Sequence, residues 1–95
     1  MDLSLRDNPA EHQFELLADG APAGLAAYRV RDGVTVITHS EVDPAFRGRG
    51  LGSELARLTL DQLRESQARV ITACPFFAKY VSQHHDWDDI LVDKP

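Results

Sequence analysis

The chemistry of this chain is concentrated in one stretch, Val42-Asp43-Pro44-Ala45-Phe46-Arg47-Gly48-Arg49-Gly50-Leu51-Gly52-Ser53. Gly48, Gly50 and Gly52 stand at alternate positions, with Arg47 and Arg49 between them. Glycine loses more backbone freedom on ordering than any other residue. A tight turn needs one or two glycines, so a third implies a backbone that must come very close to a ligand. A β-branched run leads into the stretch and a Leu-rich run leads out, which places the glycines at a helix N-terminus. Unpaired N–H groups and the positive end of the helix dipole there select an anion, most often a phosphate. Arg47 and Arg49 either reach that anion or are solvated surface residues. The Ser53 hydroxyl either donates to a phosphate or caps the helix.

Three further side chains could do chemistry. Cys74 is the only cysteine. It is either a small buried apolar residue or a functional thiol at a strand end, next to a helix that starts at Pro75. His39 is either a hydrogen-bonded structural histidine or a general base. Glu41, two residues on, is either an ion-pair partner or an alternative base. Strand alternation puts His39 and Glu41 on one face, about 6 to 7 Å apart along the chain. If that strand ends beside Cys74, a Cys–His pair can form. Phe77 and Tyr80 read as walls of a site. His84-His85-Asp86 suggests a metal, but adjacent histidines rarely face one ion, so no metal site is expected.

The elements that must position these groups follow from pattern. Leu3 to Asn8, Gln13 to Leu17 and Ala23 to Val30 read as short strands, with turns at Asp19-Gly20 and Arg31-Asp32-Gly33. Val34 to Val42, rich in Val, Ile and Thr, is the strongest strand. Thr35, Ile37, His39 and Glu41 are assigned to one of its faces, and Val34, Val36, Thr38, Ser40 and Val42 to the other. Apolar residues on both faces suggest cover on both sides. Leu51, Leu55, Leu58, Thr59 and Leu63 recur at helical steps, giving an amphipathic helix from about Ser53 to Gln67. Arg69 to Cys74 is a strand parallel to Val34–Val42. Pro75 opens a short helix, Phe76 to Gln83, and Ile90-Leu91-Val92 reads as a last edge strand. The fold class is α+β, in α/β/α layers: an antiparallel meander, a βαβ unit and a short C-terminal helix.

The 95 residues suffice for a single domain over 1–95 with one core. A hydrophobic fraction of 43% and a charged fraction of 26% are ordinary for a soluble globular protein. A formal net charge of -5 argues against general nucleic-acid binding. No apolar run is long enough to span a bilayer, the N-terminus lacks a signal-peptide layout, and a lone cysteine fits a reducing compartment. A cytoplasmic protein that is monomeric, or weakly dimeric through a meander edge, is the expectation.

Three phosphate loops compete. A Walker loop needs a lysine before Ser or Thr, and Leu51-Gly52-Ser53 has none. The spacing of Gly48, Gly50 and Gly52 is wrong for a dinucleotide fingerprint. Arg47-Gly48-Arg49-Gly50-Leu51-Gly52 matches the third, Arg/Gln-x-x-Gly-x-Gly/Ala, and resembles motif A of the GNAT acetyltransferase superfamily. The lead-in Val42-Asp43-Pro44-x-x-Arg47 is similar to the same family. The chain also resembles its minimal single-domain members in Thr38-His39-Ser40-Glu41-Val42 and in Cys74-Pro75-Phe76, with Tyr80 and His84 following. The similarity covers residues 8 to 87 and departs at His84-His85-Asp86-Trp87, where His-Pro and an aromatic are expected.

The resemblance implies acetyl-CoA as co-substrate and an amine as acceptor. It implies cofactor contacts from Val42, from Arg47, Gly48, Arg49, Gly50, Leu51, Gly52 and Ser53, and from Cys74, Phe77 and Tyr80. The resemblance implies a catalytic Cys74; with His39 and Glu41, read above as candidate bases, it makes up the expected catalytic set, acting by direct attack or through an acetylated Cys74. The alternatives are a CoA or acyl-CoA-binding module without efficient catalysis, and a small interaction protein.

Overall fold

Two Asp-Gly pairs shape the first half of the chain. Asp19 and Gly20 have φ of 50° and 82°, and Asp32 and Gly33 have 53° and 78°. Positive φ at both central residues makes tight hairpin turns whose twist matches that of the strands. They join β2 (Gln13–Ala18) to β3 (Ala21–Arg31) and β3 to β4 (Val34–Val42). β1 (Leu3–Asn8) reaches β2 through a 3-10 turn at Pro9–Glu11, capped by the Asn8 side chain accepting from the Glu11 N–H. α1 (Leu51–Glu65), β5 (Arg69–Thr72), α2 (Pro75–Gln83) and a 3-10 segment (His85–Ile90) follow. The computed structural model describes residues 1–92; the last three residues of the domain expected over 1–95 lie outside them.

The sheet runs in the order β1-β2-β3-β4-β5, antiparallel throughout except for the parallel β4–β5 pair. This is the meander and βαβ unit expected from the sequence. α1 begins at Leu51, two residues earlier than expected, because Gly50 takes the left-handed conformation as its N-cap. It ends in a Schellman motif: Ala68 N–H donates to Leu63 O and Gln67 N–H to Arg64 O, both at 2.9 Å, with Gln67 at φ 59°. A glutamine in place of the usual glycine hides that stop from the sequence. Among the described residues no helix is long and apolar enough to cross a membrane.

The α/β/α layering is not what forms. Both helices and the 3-10 segment pack against each other on one face of the sheet, where Trp87 Nε1 donates to Asp61 Oδ1 at 2.9 Å. The reason is handedness. α1 carries the chain from β4 to parallel β5, and α2 carries it on to Leu91, bridged in parallel to Val70. Two right-handed crossovers running in the same direction along a sheet place their helices on the same side. Phe14, Leu16, Ile37, Leu55, Leu60, Val70, Phe77 and Val81 form the core there. The other face stays open, so in β4 Thr35 and Ile37 are buried while Val34 and Val36 are only half-buried. The expected final strand shrinks to the single Leu91–Val70 bridge, with Val92 N–H donating to Val70 O.

A β-bulge decides the functional end of β4. Ala27 pairs with His39 but Tyr28 pairs with Ile37, leaving Thr38 as an extra residue. The bulge reverses the parity of the strand. Ser40 and Val42, not His39 and Glu41, continue the helix-facing row of Thr35 and Ile37. The expectation that Thr35, Ile37, His39 and Glu41 share a face is therefore overturned.

On the open face Glu15 accepts from Gln13, Asn8 and Arg6, the closest bond being 2.7 Å from Arg6 Nη2. These hydrogen bonds, from Gln13 first, then Asn8 and Arg6, pull its pKa down to about 2. A folded-state pKa below the unfolded one contributes stability above the unfolded value that is lost as pH falls toward the folded value. Glu15→Gln is therefore expected to lower stability at pH 7. It is also expected to weaken the loss of stability between about pH 4.5 and about 2, as read by urea melts across that window.

Candidate functional site

The glycine loop leaves a set of backbone donors without protein acceptors. Asp43 Oδ1 accepts from the Ala45 N–H at 2.9 Å and starts a 3-10 turn at Pro44–Phe46, which delivers Arg47 in extended conformation. Gly48 and Gly50 then take φ of 79° and 72°, a region that costs any residue with a Cβ. A Cβ built at either position would meet nothing within 4 Å, so the space above the loop is open. The first helical bond of α1 is Glu54 N–H to Gly50 O, and no side chain caps the helix. The N–H groups of Leu51, Gly52 and Ser53 thus lack intrahelical acceptors. Ser53 is the third helical residue, not the cap, which removes the capping reading of its hydroxyl. Arg47 and Arg49 are exposed and, among the described residues, form no ion pair. The Arg49 guanidinium lies 5.9 Å from the Phe46 ring centre. A pyrophosphate fits this cradle in charge, in donors and in space.

From the loop, a groove of about 190 Å³ runs between α1, α2 and β4, walled by Ser40, Val42, Gly52, Leu55 and Phe76. Here β4 runs on past the end of β5. Their pairing ends at Ile37–Thr72, and the last link across is Cys74 N–H to Ile37 O at 2.8 Å. From Thr38 onward β4 pairs with β3 alone. Asp43 N–H donates to Ala23 O, which makes that a hydrogen-bonded pair. Alternation along the ladder then turns the N–H and C=O groups of Ser40 and Val42 away from β3, toward the free edge. Val42, expected to touch the cofactor, offers backbone groups there.

The structure brings Cys74 to Ser40, not to His39. Cys74 Sγ lies 3.3 Å from Ser40 Oγ, and the cysteine is 3% exposed at the N-cap of α2. His39 Nε2 lies 2.7 Å from Glu41 Oε2 on the open face, with both side chains about 60% exposed. The expected Cys74–His39 pair does not form, because the bulge at Thr38 turns His39 to the opposite side of the sheet. Phe77 is also displaced from its expected place: it is fully buried in the core, and Phe76 forms the wall. Pro75 starts α2, so Phe77 and Val81 share its inward face and Phe76 points outward. The Phe76 ring would lie 3.1 Å from a Cβ at Gly52, so the third glycine makes room for a side chain. Leu51 is buried, which leaves only its N–H for a ligand.

Tyr80 stacks on His84 at 4.3 Å, lies 5.7 Å from Trp87, and does not wall the groove. Its pKa is raised, chiefly by desolvation, with Glu54, Asp61 and Asp86 adding to the shift and Arg57 opposing it. Ser40 and Phe76 were not singled out from sequence. The signal for Phe76 was present in the Pro75 helix start, whereas nothing in the sequence marks the bulge that selects Ser40.

The architecture is that of a GCN5-like fold. A GCN5-like protein from Staphylococcus aureus, solved by NMR, superimposes with a TM-score of 0.70 at 20% identity, covering 98% of this chain and 91% of that one. A family model described as GCN5-related N-acetyl-transferase matches residues 13–90, and the chain belongs to that family, whose members generally use acetyl-CoA as co-substrate. Protein NATD1 from Xenopus tropicalis and from Gallus gallus is 35% identical over 48 residues, 50% of this chain and 44% of theirs. The Homo sapiens protein matches at the same identity over 42% of its length. The chain thus spans less than half the length of these relatives.

Proposed function

We propose that this chain binds acetyl-CoA along the Arg47–Ser53 loop and the free edge of β4, and transfers the acetyl group to an amine. The observation that carries this reading is the free edge of β4 beyond Ile37–Thr72, where β5 ends, next to a loop with open space above Gly48 and Gly50. Loop N–H groups, with Arg47 and Arg49, would hold the pyrophosphate. The backbone of Ser40 and Val42 would hold the amide-bearing arm as an added strand holds its neighbour.

In the transfer, the amine nitrogen attacks the thioester carbonyl carbon, the C–S bond breaks, and the sulfur leaves as thiolate. Glu41, paired with His39, takes the proton that the amine loses. The Cys74 thiol, held by Ser40, donates a proton to the thiolate and regains one from solvent. Having Ser40 rather than His39 beside Cys74 favours this direct route over an acetyl-cysteine, since no base lies next to the sulfur.

Cys74→Ala is accordingly expected to keep acetyl-CoA affinity and to lower kcat by about tenfold to a hundredfold, the loss of one positioned proton donor. Calorimetry and CoA-thiol release over a panel of amines read the two quantities. Complete loss of turnover, together with an acetylated Cys74 peptide in the wild type, would establish the covalent route instead. Binding without thiol release for any amine would leave a CoA-binding module, and absence of binding would overturn the reading altogether.

A further inference from the structure

The open face of the sheet carries a second cavity, of about 260 Å³, behind the strand that walls the groove. Strand register explains its chemistry. Arg6 pairs with Glu15, Glu15 with Leu25, and Leu25 with Glu41, so these four residues form one row across β1 to β4. All four line the cavity, with Leu17, Pro22 and Val42 beside them. Glu15 is saturated by donors from Arg6, Asn8 and Gln13 and forms a closed, polar end wall. Glu41 is exposed at the other end, and among the described residues its side chain is paired with His39 alone. Between the two lies an apolar floor of Leu17, Pro22 and Leu25. Val42 and Glu41 line both this cavity and the groove, so a single strand separates them.

We infer that this cavity is the acceptor subsite, and that it takes a primary amine carried on a short, unbranched apolar stem. The inference rests on the acetyl-CoA reading and adds the substrate class. The stem lies over Leu25 and Leu17, and the ammonium is drawn to Glu41, with the carboxylate of Asp43 also lining the cavity. An anion would meet Glu41 and the closed Glu15 wall, and a bulky polar amine would strand its polar groups on the apolar floor. The same chemistry is offered by a free alkylamine and by a lysine side chain.

Two measurements test this separately from cofactor binding. Amide chemical shifts of the protein alone, titrated with n-butylamine, are expected to move at Leu17, Leu25 and Glu41, and to stay still with n-butyrate. Equal response to butyrate, or none to the amine, would overturn the inference whatever acetyl-CoA does. Leu25→Lys places an ammonium in the row between Glu15 and Glu41. It is expected to raise KM for n-butylamine about tenfold or more while leaving acetyl-CoA affinity within about twofold. An unchanged KM in a variant that still binds acetyl-CoA would also overturn it, leaving the proposed function standing. Failure of the wild type to bind acetyl-CoA would instead remove the proposed function, and the acceptor subsite with it. Running n-butylamine beside a lysine-containing peptide identifies the source: turnover of the free amine alone assigns a small molecule, and preference for the peptide assigns a side chain.

Discussion

Phe77→Ala is expected to cost about 3–5 kcal/mol of folding stability, whereas Phe76→Ala is expected to cost less than about 1. The residues are adjacent and chemically identical, so the difference lies entirely in their placement. Phe77 is fully buried where α2 meets the sheet, while Phe76 is 42% exposed. Deleting the Phe77 ring removes both its transfer free energy and the packing around the hole it leaves. A domain of this size has about 5–15 kcal/mol in total, so the variant should be close to unfolding at elevated temperature. Urea melts read both variants. The order reverses in binding: Phe76 walls the groove beside Ser40 and Gly52, and its loss is expected to weaken acetyl-CoA about threefold to tenfold. Equal stability losses for the two variants would contradict the packing of α2 described above.

Gly50→Val is expected to reduce acetyl-CoA affinity about a hundredfold, equivalent to losing one or two charge-assisted hydrogen bonds. Gly50 holds φ 72° as the N-cap of α1, a conformation in which a β-branched side chain is strongly disfavoured. The chain must either bear that strain, about 1–2 kcal/mol, or rotate the peptide and redirect the N–H groups that follow. Both outcomes disturb the cradle, and the first also fills space now open above it. Gly52→Ala provides the contrast, because Gly52 is helical and the nearest neighbour of an added methyl is the Phe76 ring. Its stability is expected to stay within about 1 kcal/mol, as the gain in helix propensity offsets the ring contact. Calorimetry with acetyl-CoA on both variants, beside thermal melts, separates a loop that binds through its backbone from one that merely turns. Equal affinities would contradict a cradle at Gly50.

How far the site can be read from sequence depends on the range of the forces that build it. The Asp-Gly turns, the period-two strands and the Leu-periodic helix are local, since each is dictated by residues within a few positions. Their places accordingly agree with expectation to within one or two residues. The glycine loop is equally local. Its alternate glycines and two arginines are the basis of the proposed anion site, and the structure adds different reasons for different glycines: backbone conformation at Gly48 and Gly50, room for a ring at Gly52.

By itself, then, the sequence determined the elements, the meander, the βαβ unit and the glycine-rich helix start at Arg47–Ser53 on which the proposed anion site rests. Each rests on periodicity, turn chemistry or the unpaired N–H groups of a helix start. Only the tertiary structure decided which side chains meet. The bulge at Thr38 arises from how β3 and β4 pair across the sheet, and one extra residue exchanges the two faces of every position after it. That exchange puts Ser40 beside Cys74, sends His39 and Glu41 to the open face, and places a carboxylate behind the strand that walls the groove. The handedness of two successive crossovers, another long-range property, gathers both helices on one side and leaves the opposite face of the sheet open.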